Sequence, residues 1–238
     1  MRVIIIPAKD EERSVAAVVG DFRREAADLD GDTRIVVVDD QSSDHTCAVA
    51  RKAGALVVRT PSPGGLGATF RFGVETALAL GCDEIVHVDG DGQYAATDLA
   101  RLVAARKSGS DLVVGDRLWR RPAGMTRRRY LENLAASRVI SMITGVRVGD
   151  AQSGFRVFGR DVACAFVVTG TFTYTQEQLI RAAAAGFRLT FVPIAFGRRR
   201  FGTSRLVSST SYYIRRAVPE ILAVVFATGQ KNSTRFPG

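Results

Sequence analysis

Short, continuous apolar runs rich in β-branched residues, separated by stretches of helical period, constrain the fold of this chain most. The runs are Val3–Ile6, Arg34–Val38, Leu56–Val58, Glu84–Val88 and Asp111–Val114, with helix-period stretches near 11–28, 44–53, 67–80 and 97–107 between them. A strand buried on both faces is apolar throughout rather than alternating, and long helical crossovers suit parallel pairing. The expected fold is α/β: a doubly wound, mostly parallel sheet with helices on both faces.

Beyond residue 115 the alternation stops. Asp116–Thr126, with Arg117, Trp119, Arg120, Arg121, Pro122 and Gly124, reads as a basic loop. A helix is expected over Arg127–Thr144, a strand over Phe155–Phe158, a helix near 176–185 and a strand over Arg188–Ile194. A second basic loop, Phe196–Arg205, then leads to a helix-like segment containing Pro219, and Lys231–Gly238 reads as a disordered tail. No internal repeat or low-complexity linker divides the chain, so residues 1–230 are expected to form one domain.

The 33 Lys+Arg against 24 Asp+Glu leave a net charge of +9, which favours a polyanionic partner. Nucleic acid is disfavoured, because the arginine clusters lack interleaved aromatics or a reader motif. Cys47, Cys82 and Cys164 form no CxxC pair, so neither a zinc site nor a disulfide framework is expected, and a reducing, cytoplasmic setting is the simple reading. No apolar run approaches the ~20 residues of a spanning helix. Tyr212–Phe226, with aromatics, Arg215, Arg216 and an apolar run, either docks on its own domain or lies at a membrane interface, and docking is the commoner case.

In open α/β sheets ligands bind beyond the carboxyl ends of the strands. Those ends carry Pro7-Ala8-Lys9-Asp10-Glu11-Glu12, Asp39-Asp40-Gln41-Ser42-Ser43-Asp44, Pro63-Gly64-Gly65-Leu66-Gly67, Asp89-Gly90-Asp91-Gly92-Gln93 and Gly115-Asp116-Arg117. Asp89 and Asp91, one residue apart between glycines, suit a hard divalent cation that takes carboxylate and phosphate oxygens. Asp39 and Asp40 either cap the next helix or recognise a base or ribose hydroxyl. The glycine loop fails a dinucleotide fingerprint at Phe70, and no P-loop exists. The acidic first turn also lacks the Gly-rich, Lys/Arg-bearing loop expected of a nucleotidyltransferase.

Taken in order over about residues 3 to 206, these motifs, together with Asp150-Ala151-Gln152-Ser153-Gly154-Phe155-Arg156 and Arg199-Arg200-Phe201-Gly202-Thr203-Ser204-Arg205, resemble family 2 glycosyltransferases. Within them the chain is similar to polyprenyl-phosphate (dolichol-phosphate) mannose or glucose synthases. The resemblance implies a GT-A fold, a Mg²⁺ or Mn²⁺ cofactor and inversion at the anomeric carbon. The donor would be GDP-mannose or a UDP-sugar, with residues 1–115 as nucleotide-binding half and 116–230 as acceptor half. It places Pro7, Ala8, Lys9, Glu11, Val38 and Asp40, with Asp89 and Gly90, around the nucleotide. Asp89, Asp91 and Gln93 would serve the metal, and Arg117, Arg128, Arg199 and Arg205 the substrate phosphates. Asp91, Arg117, Glu177 and Arg199 are the expected catalytic group.

Several positions depart from the family's pattern. Asp10 stands where Asn is usual, Lys9 where the synthases often have Tyr, and Arg205 where Lys is usual. Glu132 occupies a position where the mannose synthases tend to have Ser. A polyprenyl phosphate acceptor is already ionised at neutral pH, so catalysis reduces to positioning and charge neutralisation. A sugar or small-molecule hydroxyl would need a base, for which Glu177 is the candidate, and a non-catalytic nucleotide-sugar binder is a third reading. A polyprenyl acceptor also implies peripheral contact with the cytoplasmic membrane face.

Overall fold

The computed structural model describes residues 1–199 and 210–233. Its strands are β1 (Arg2–Ala8), β2 (Thr33–Asp39), β3 (Leu56–Arg59), β4 (Glu84–His87), β5 (Leu112–Asp116), β6 (Arg156–Gly159) and β7 (Leu189–Pro193). The helices are α1 (Val15–Ala27), α2 (Thr46–Lys52), α3 (Gly65–Ala79), α4 (Leu99–Lys107), α5 (Arg127–Thr144), α6 (Arg160–Ala165), α7 (Tyr174–Ala184) and α8 (Thr210–Ser233). The seven strands form one sheet in the order β3-β2-β1-β4-β6-β5-β7. Every pairing is parallel except those of β6, which runs antiparallel between β4 and β5. The expected α/β, mostly parallel architecture is what the chain adopts.

β1 shows why its sequence is apolar throughout. Ile4, Ile6 and Ala8 enter one core with Val15, Val18, Val19 and Phe22 of α1 and Leu99, Leu102 and Val103 of α4. Val3 and Ile5 enter the opposite core with Phe70 and Ala77 of α3, Ile140 of α5 and Leu179 and Ile180 of α7. The apolar positions of α1 recur at helical spacing, so a single stripe meets the sheet. β3 is short and half-exposed, as suits an edge strand.

β1 pairs with β2 on one side and β4 on the other, so the order of strands reverses there. The crevice of such a sheet opens beyond these carboxyl ends. That places the Pro7–Glu12 and Asp89–Gln93 turns side by side.

Some local expectations differ from the fold. The helix near 97–107 is preceded by a 3-10 turn over Ala96–Asp98, and α6 follows β6 directly, where no helix was expected. α8 continues to Ser233, through Lys231–Ser233, where a frayed tail was expected; residues 234–238 lie outside the described residues. α8 docks on its own domain: Ala217 and Val224 are buried, Ile221 and Val225 pack on the second core, and Glu220 accepts bonds from Thr171, Phe172 and Thr173. Among the described residues no helix is long and apolar enough to cross a membrane.

The Thr169–Thr173 segment is held by Glu220, by Glu177 and by Gly67 N, which donates to Thr171 O at 3.2 Å. A Cβ at Gly67 would overlap the Gly170 carbonyl oxygen. Gly67→Ala is therefore expected to destabilise the chain by about 2 kcal/mol through overpacking; urea denaturation measures it, and an unchanged midpoint would refute the contact.

Candidate active site

The turns after β1 and β2 are stitched together by side chain–backbone bonds. Asp10 N donates to Ser42 Oγ (2.8 Å), Glu11 N to Thr46 Oγ1 (2.8 Å) and Ser43 N to Asp10 Oδ1 (2.7 Å). Asp10 and Gln41 have φ of 48° and 58°, in the left-handed region that Asn and Asp tolerate best. Asp10 thus meets this backbone requirement with a residue type that tolerates it.

The adjacent acids after β2 divide their work. Asp39 is fully buried, paired with Arg59 Nε at 2.8 Å and bonded by Ser42 N. Burial alone would raise its pKa, but hydrogen bonds from Ser42, Cys47 and Arg59 outweigh burial and hold it below the usual carboxylate range. Asp39 therefore holds the Ser42 turn and Arg59, and it is Asp44 that accepts Thr46 N at the start of α2. Asp40 accepts Gly64 N at 2.9 Å and Gly65 N at 3.2 Å, with Lys9 Nζ 3.6 Å from its Oδ2. It ties the glycine loop at the start of α3 to the crevice.

At the end of β4 the Asp89 Oδ1 atom is buried without a hydrogen-bond partner among the described residues. Burial first, then the neighbouring Asp91, push the Asp89 carboxyl up to about 7, while Arg117, Arg199 and Arg156 pull it down. Asp91 is raised as well, mainly by burial. Its Oδ1 accepts Gln93 N at 3.0 Å, and its Oδ2 lies 3.4 Å from Arg199 Nη2, which also meets Glu11 Oε1 at 2.8 Å. Gly90 is closely packed, since a Cβ would stand 3.0 Å from Pro7 O. Its carbonyl lies 2.9 Å from Ser14 Oγ.

Arg117 is gripped by Asp150 through two bonds, 2.7 Å from Nε and 3.1 Å from Nη2, and stacks over Phe196 at 4.9 Å. Gln93 donates from Nε2 to Gly197 O at 3.0 Å and accepts Gly197 N at 2.8 Å on its own carbonyl, so it clamps the segment after β7. A cavity of about 730 Å³ opens beside Asp91, walled by α1, Trp119–Ala123 and Ile194–Arg198, with Arg117 on its lining.

The fold thus gathers Glu11, Asp91, Gln93, Arg117 and Arg199 around the Asp89 edge, and Pro7, Ala8, Lys9 and Asp40 beside it. It does not bring every expected residue there. Val38 is a core residue whose side chain packs against α3 at Gly73, so only its backbone faces the crevice end. Arg128 is exposed on the first turn of α5 and paired with Glu132 at 2.8 Å. Glu177 is buried, and its carboxylate accepts Thr169 N, Thr169 Oγ1, Gly170 N and Arg181 Nε, all at 2.5–3.1 Å. That saturation corrects its reading as a general base: Glu177 anchors the Thr169–Gly170 backbone. Arg205 lies outside the described residues.

Asp89 and Asp91 fit a divalent cation on this structure's own terms: a desolvated carboxylate oxygen with no donor is a ligand in want of a cation. No group of three His, Cys, Asp or Glu side chains converges among the described residues. Two carboxylates completed by substrate phosphate oxygens is the arrangement Mg²⁺-type sites use.

The model of the family described as "Glycosyl transferase family 2" matches residues 3–165, from β1 through α6. The chain belongs to glycosyltransferase family 2. This family 2 glycosyltransferase is 32% identical over 202 residues to "Glycosyltransferase AglJ" of Haloferax volcanii, covering 84% of this chain and 64% of that protein's length. It is 29% identical to the polyprenol monophosphomannose synthase of Mycolicibacterium smegmatis, over 87% of this chain and 81% of the relative. Its fold is similar to that of glucosyl-3-phosphoglycerate synthase from Mycobacterium tuberculosis in complex with Mn²⁺, UDP and phosphoglyceric acid. That likeness has a TM-score of 0.73 at 19% identity, covering 94% of this chain and 78% of the other, and it places the family 2 chain among GT-A folds.

The depressed Asp39 pKa makes a pH statement about this enzyme. A carboxylate with a folded pKa below its unfolded value stabilises above the unfolded pKa, and that stability is lost as pH falls through the folded one. Asp39→Asn should therefore cost about 2 kcal/mol at pH 7, the scale of hydrogen bonds to a charged group. The gap from wild type should close as pH falls below the usual carboxylate pKa in denaturation curves. A pH-independent difference would show that the charge is not what matters.

Proposed function

We propose that this glycosyltransferase moves a hexose, with inversion, from a nucleoside-diphosphate sugar (GDP-mannose or a UDP-sugar) to a polyprenyl phosphate. The observation that carries this reading is the state of Glu177: a carboxylate taken up by four donors is not a base for a hydroxyl acceptor. A phosphate monoester needs none, being ionised already. Two relatives bear names of that class, the Mycolicibacterium smegmatis synthase and an undecaprenyl-phosphate mannosyltransferase of Micrococcus luteus, 29% identical over 87% of this chain.

In this scheme the acceptor phosphate oxygen attacks the anomeric carbon in line, and the bond to the diphosphate breaks with its electron pair leaving on the nucleotide. Asp89 and Asp91 would hold a Mg²⁺ or Mn²⁺ ion, whose chemistry when bound would be to neutralise charge on the departing diphosphate. Pro7, Ala8, Lys9, Glu11 and Asp40 line the nucleotide side of the crevice. Arg117, fixed by Asp150, and Arg199, held between Glu11 and Asp91, supply positive charge toward the phosphates. The acceptor's lipid brings the chain to a membrane surface. Leu131, Val139 and Met142 of α5 and Val218, Leu222 and Phe226 of α8 are exposed apolar side chains suited to that surface, near Arg127–Arg129 and Arg215.

Radiolabelled GDP-mannose and UDP-glucose, offered with a short polyprenyl phosphate or with simple sugars, test the scheme. Label should pass to the lipid phosphate, and chelation by EDTA should stop it. Asp91→Ala should reduce transfer at least about 100-fold while the circular dichroism spectrum stays that of wild type. Undiminished turnover in Asp91→Ala, or transfer to sugar hydroxyls alone, would refute the assignment.

A further inference from the structure

The Asp150–Arg156 segment lies against the proposed metal edge, yet it contributes no side chain to that edge directly. Gly154 is held on two sides: its N donates to Tyr94 Oη at 2.7 Å, and its carbonyl accepts the Nδ1–H of buried His87. Its third side faces Asp89, where a Cβ would stand 2.7 Å from Oδ1 and 2.9 Å from Oδ2. The backbone of Gly154 is thus the wall against which the Asp89 carboxylate rests.

Arg156 fixes that wall from beneath. It has no exposed surface, and its guanidinium donates to Ser153 O (2.8 Å), Ala151 O (3.2 Å), Thr175 O (2.7 Å) and Gln178 Oε1 (3.0 Å). All four acceptors are neutral, and no carboxylate among the described residues bonds it. Burial pushes its pKa down to about 10, so it keeps its charge at neutral pH, and it is one of the cations that act on Asp89. Burying a cation without a paired anion is costly, and a sheet interior has cheaper ways to fill the same volume. What the guanidinium offers is a rigid fork that reaches the 151–153 turn and the start of α7 at once, which a lysine cannot do. The same turn carries Asp150, whose two bonds aim Arg117.

We propose that the Asp150–Arg156 segment, pinned by Arg156, Tyr94 and His87, is the positioning element that sets the Asp89 carboxylate for a divalent cation and the nucleotide diphosphate. Arg156, Tyr94 and Gly154 act through Asp89 and are positioning residues. The inference rests on the metal-dependent transferase reading, and its test separates the two.

Mn²⁺ is titrated into wild type and the variants Gly154→Ala, Arg156→Lys and Tyr94→Phe in the presence of GDP or UDP, with free Mn²⁺ read by electron paramagnetic resonance. Nucleotide affinity in EDTA and the melting temperature are measured in parallel. The Mn²⁺ Kd should rise about tenfold or more in Gly154→Ala and Arg156→Lys, the scale on which metal sites respond to loss of outer supporting groups. Tyr94→Phe, which keeps the ring packing and removes only the hydroxyl, should raise it about threefold, and metal-free nucleotide affinity should stay within about twofold throughout. A merely structural role would lower the melting temperature and leave the Mn²⁺ Kd of the folded variants alone, which would overturn the inference. Wild type that binds no Mn²⁺ with either nucleotide would instead overturn the metal-dependent reading of the transferase, and this inference with it.

Discussion

Asp89 Oδ1 lies just beyond the end of β4 in the central strand pair, buried and with no hydrogen-bond donor among the described residues, and the polar architecture around it follows from that position. Desolvation and the second carboxylate of Asp91 favour a proton there, and the surrounding guanidinium groups oppose it. Two of these cations are restrained by acids outside the pair, Arg117 by Asp150 and Arg199 by Glu11, and Arg156 is held by neutral acceptors. Positive charge is therefore delivered at fixed positions without collapsing onto Asp89. Preorganised charge of this kind costs little reorganisation when a ligand's own charge arrives.

The carboxylate occupies that position because of the sheet. β1 is apolar on both faces and pairs with β2 and β4, so the turns after all three emerge at one edge. Those turns are short of regular structure, and their backbone groups are satisfied by Ser42, Thr46, Asp44 and Asp10 instead of by a ladder. Asp40 extends the stitching to the glycine loop of α3, which Gly67 joins to the Thr169–Thr173 segment. The β1–β2 side of the crevice is held together by many individually modest bonds.

What the sequence made legible was local. Apolar runs located the strands, and Asp89-x-Asp91 between glycines located the carboxylate pair, because strand burial and turn chemistry are written in adjacent residues. The antiparallel insertion of β6 was not legible, since pairing orientation depends on partners distant in the chain. The same holds for side chains whose role is set by a remote partner. Asp150 stands 33 residues from Arg117, and Arg156 meets Thr175 and Gln178 only once α7 has packed. Glu177 resembled a base by position alone; its donors, the backbone of 169–170 and Arg181, appear only when that loop folds back over α7. The Asp150–Arg156 motif was visible as a pattern, but nothing in the pattern said that its glycine would form the wall beside Asp89.

The departure at Glu132 takes a different meaning once α5 is in place. Glu132 and Arg128 form a pair one helical turn apart on the solvent side, and such exposed i,i+4 pairs contribute only about 0.3–0.5 kcal/mol. A phosphate approaching that face would meet a nearly neutral pair that separates at little cost. Arg117 is held differently: its side chain is buried, its planar group is fixed by two bonds to Asp150, and it lines the cavity beside Asp91. A guanidinium held in one orientation loses less entropy on meeting a phosphate than a mobile surface arginine does. Among the described residues, the arginine held most firmly beside the Asp89–Asp91 pair is thus Arg117 at the end of β5 and not Arg128 on α5.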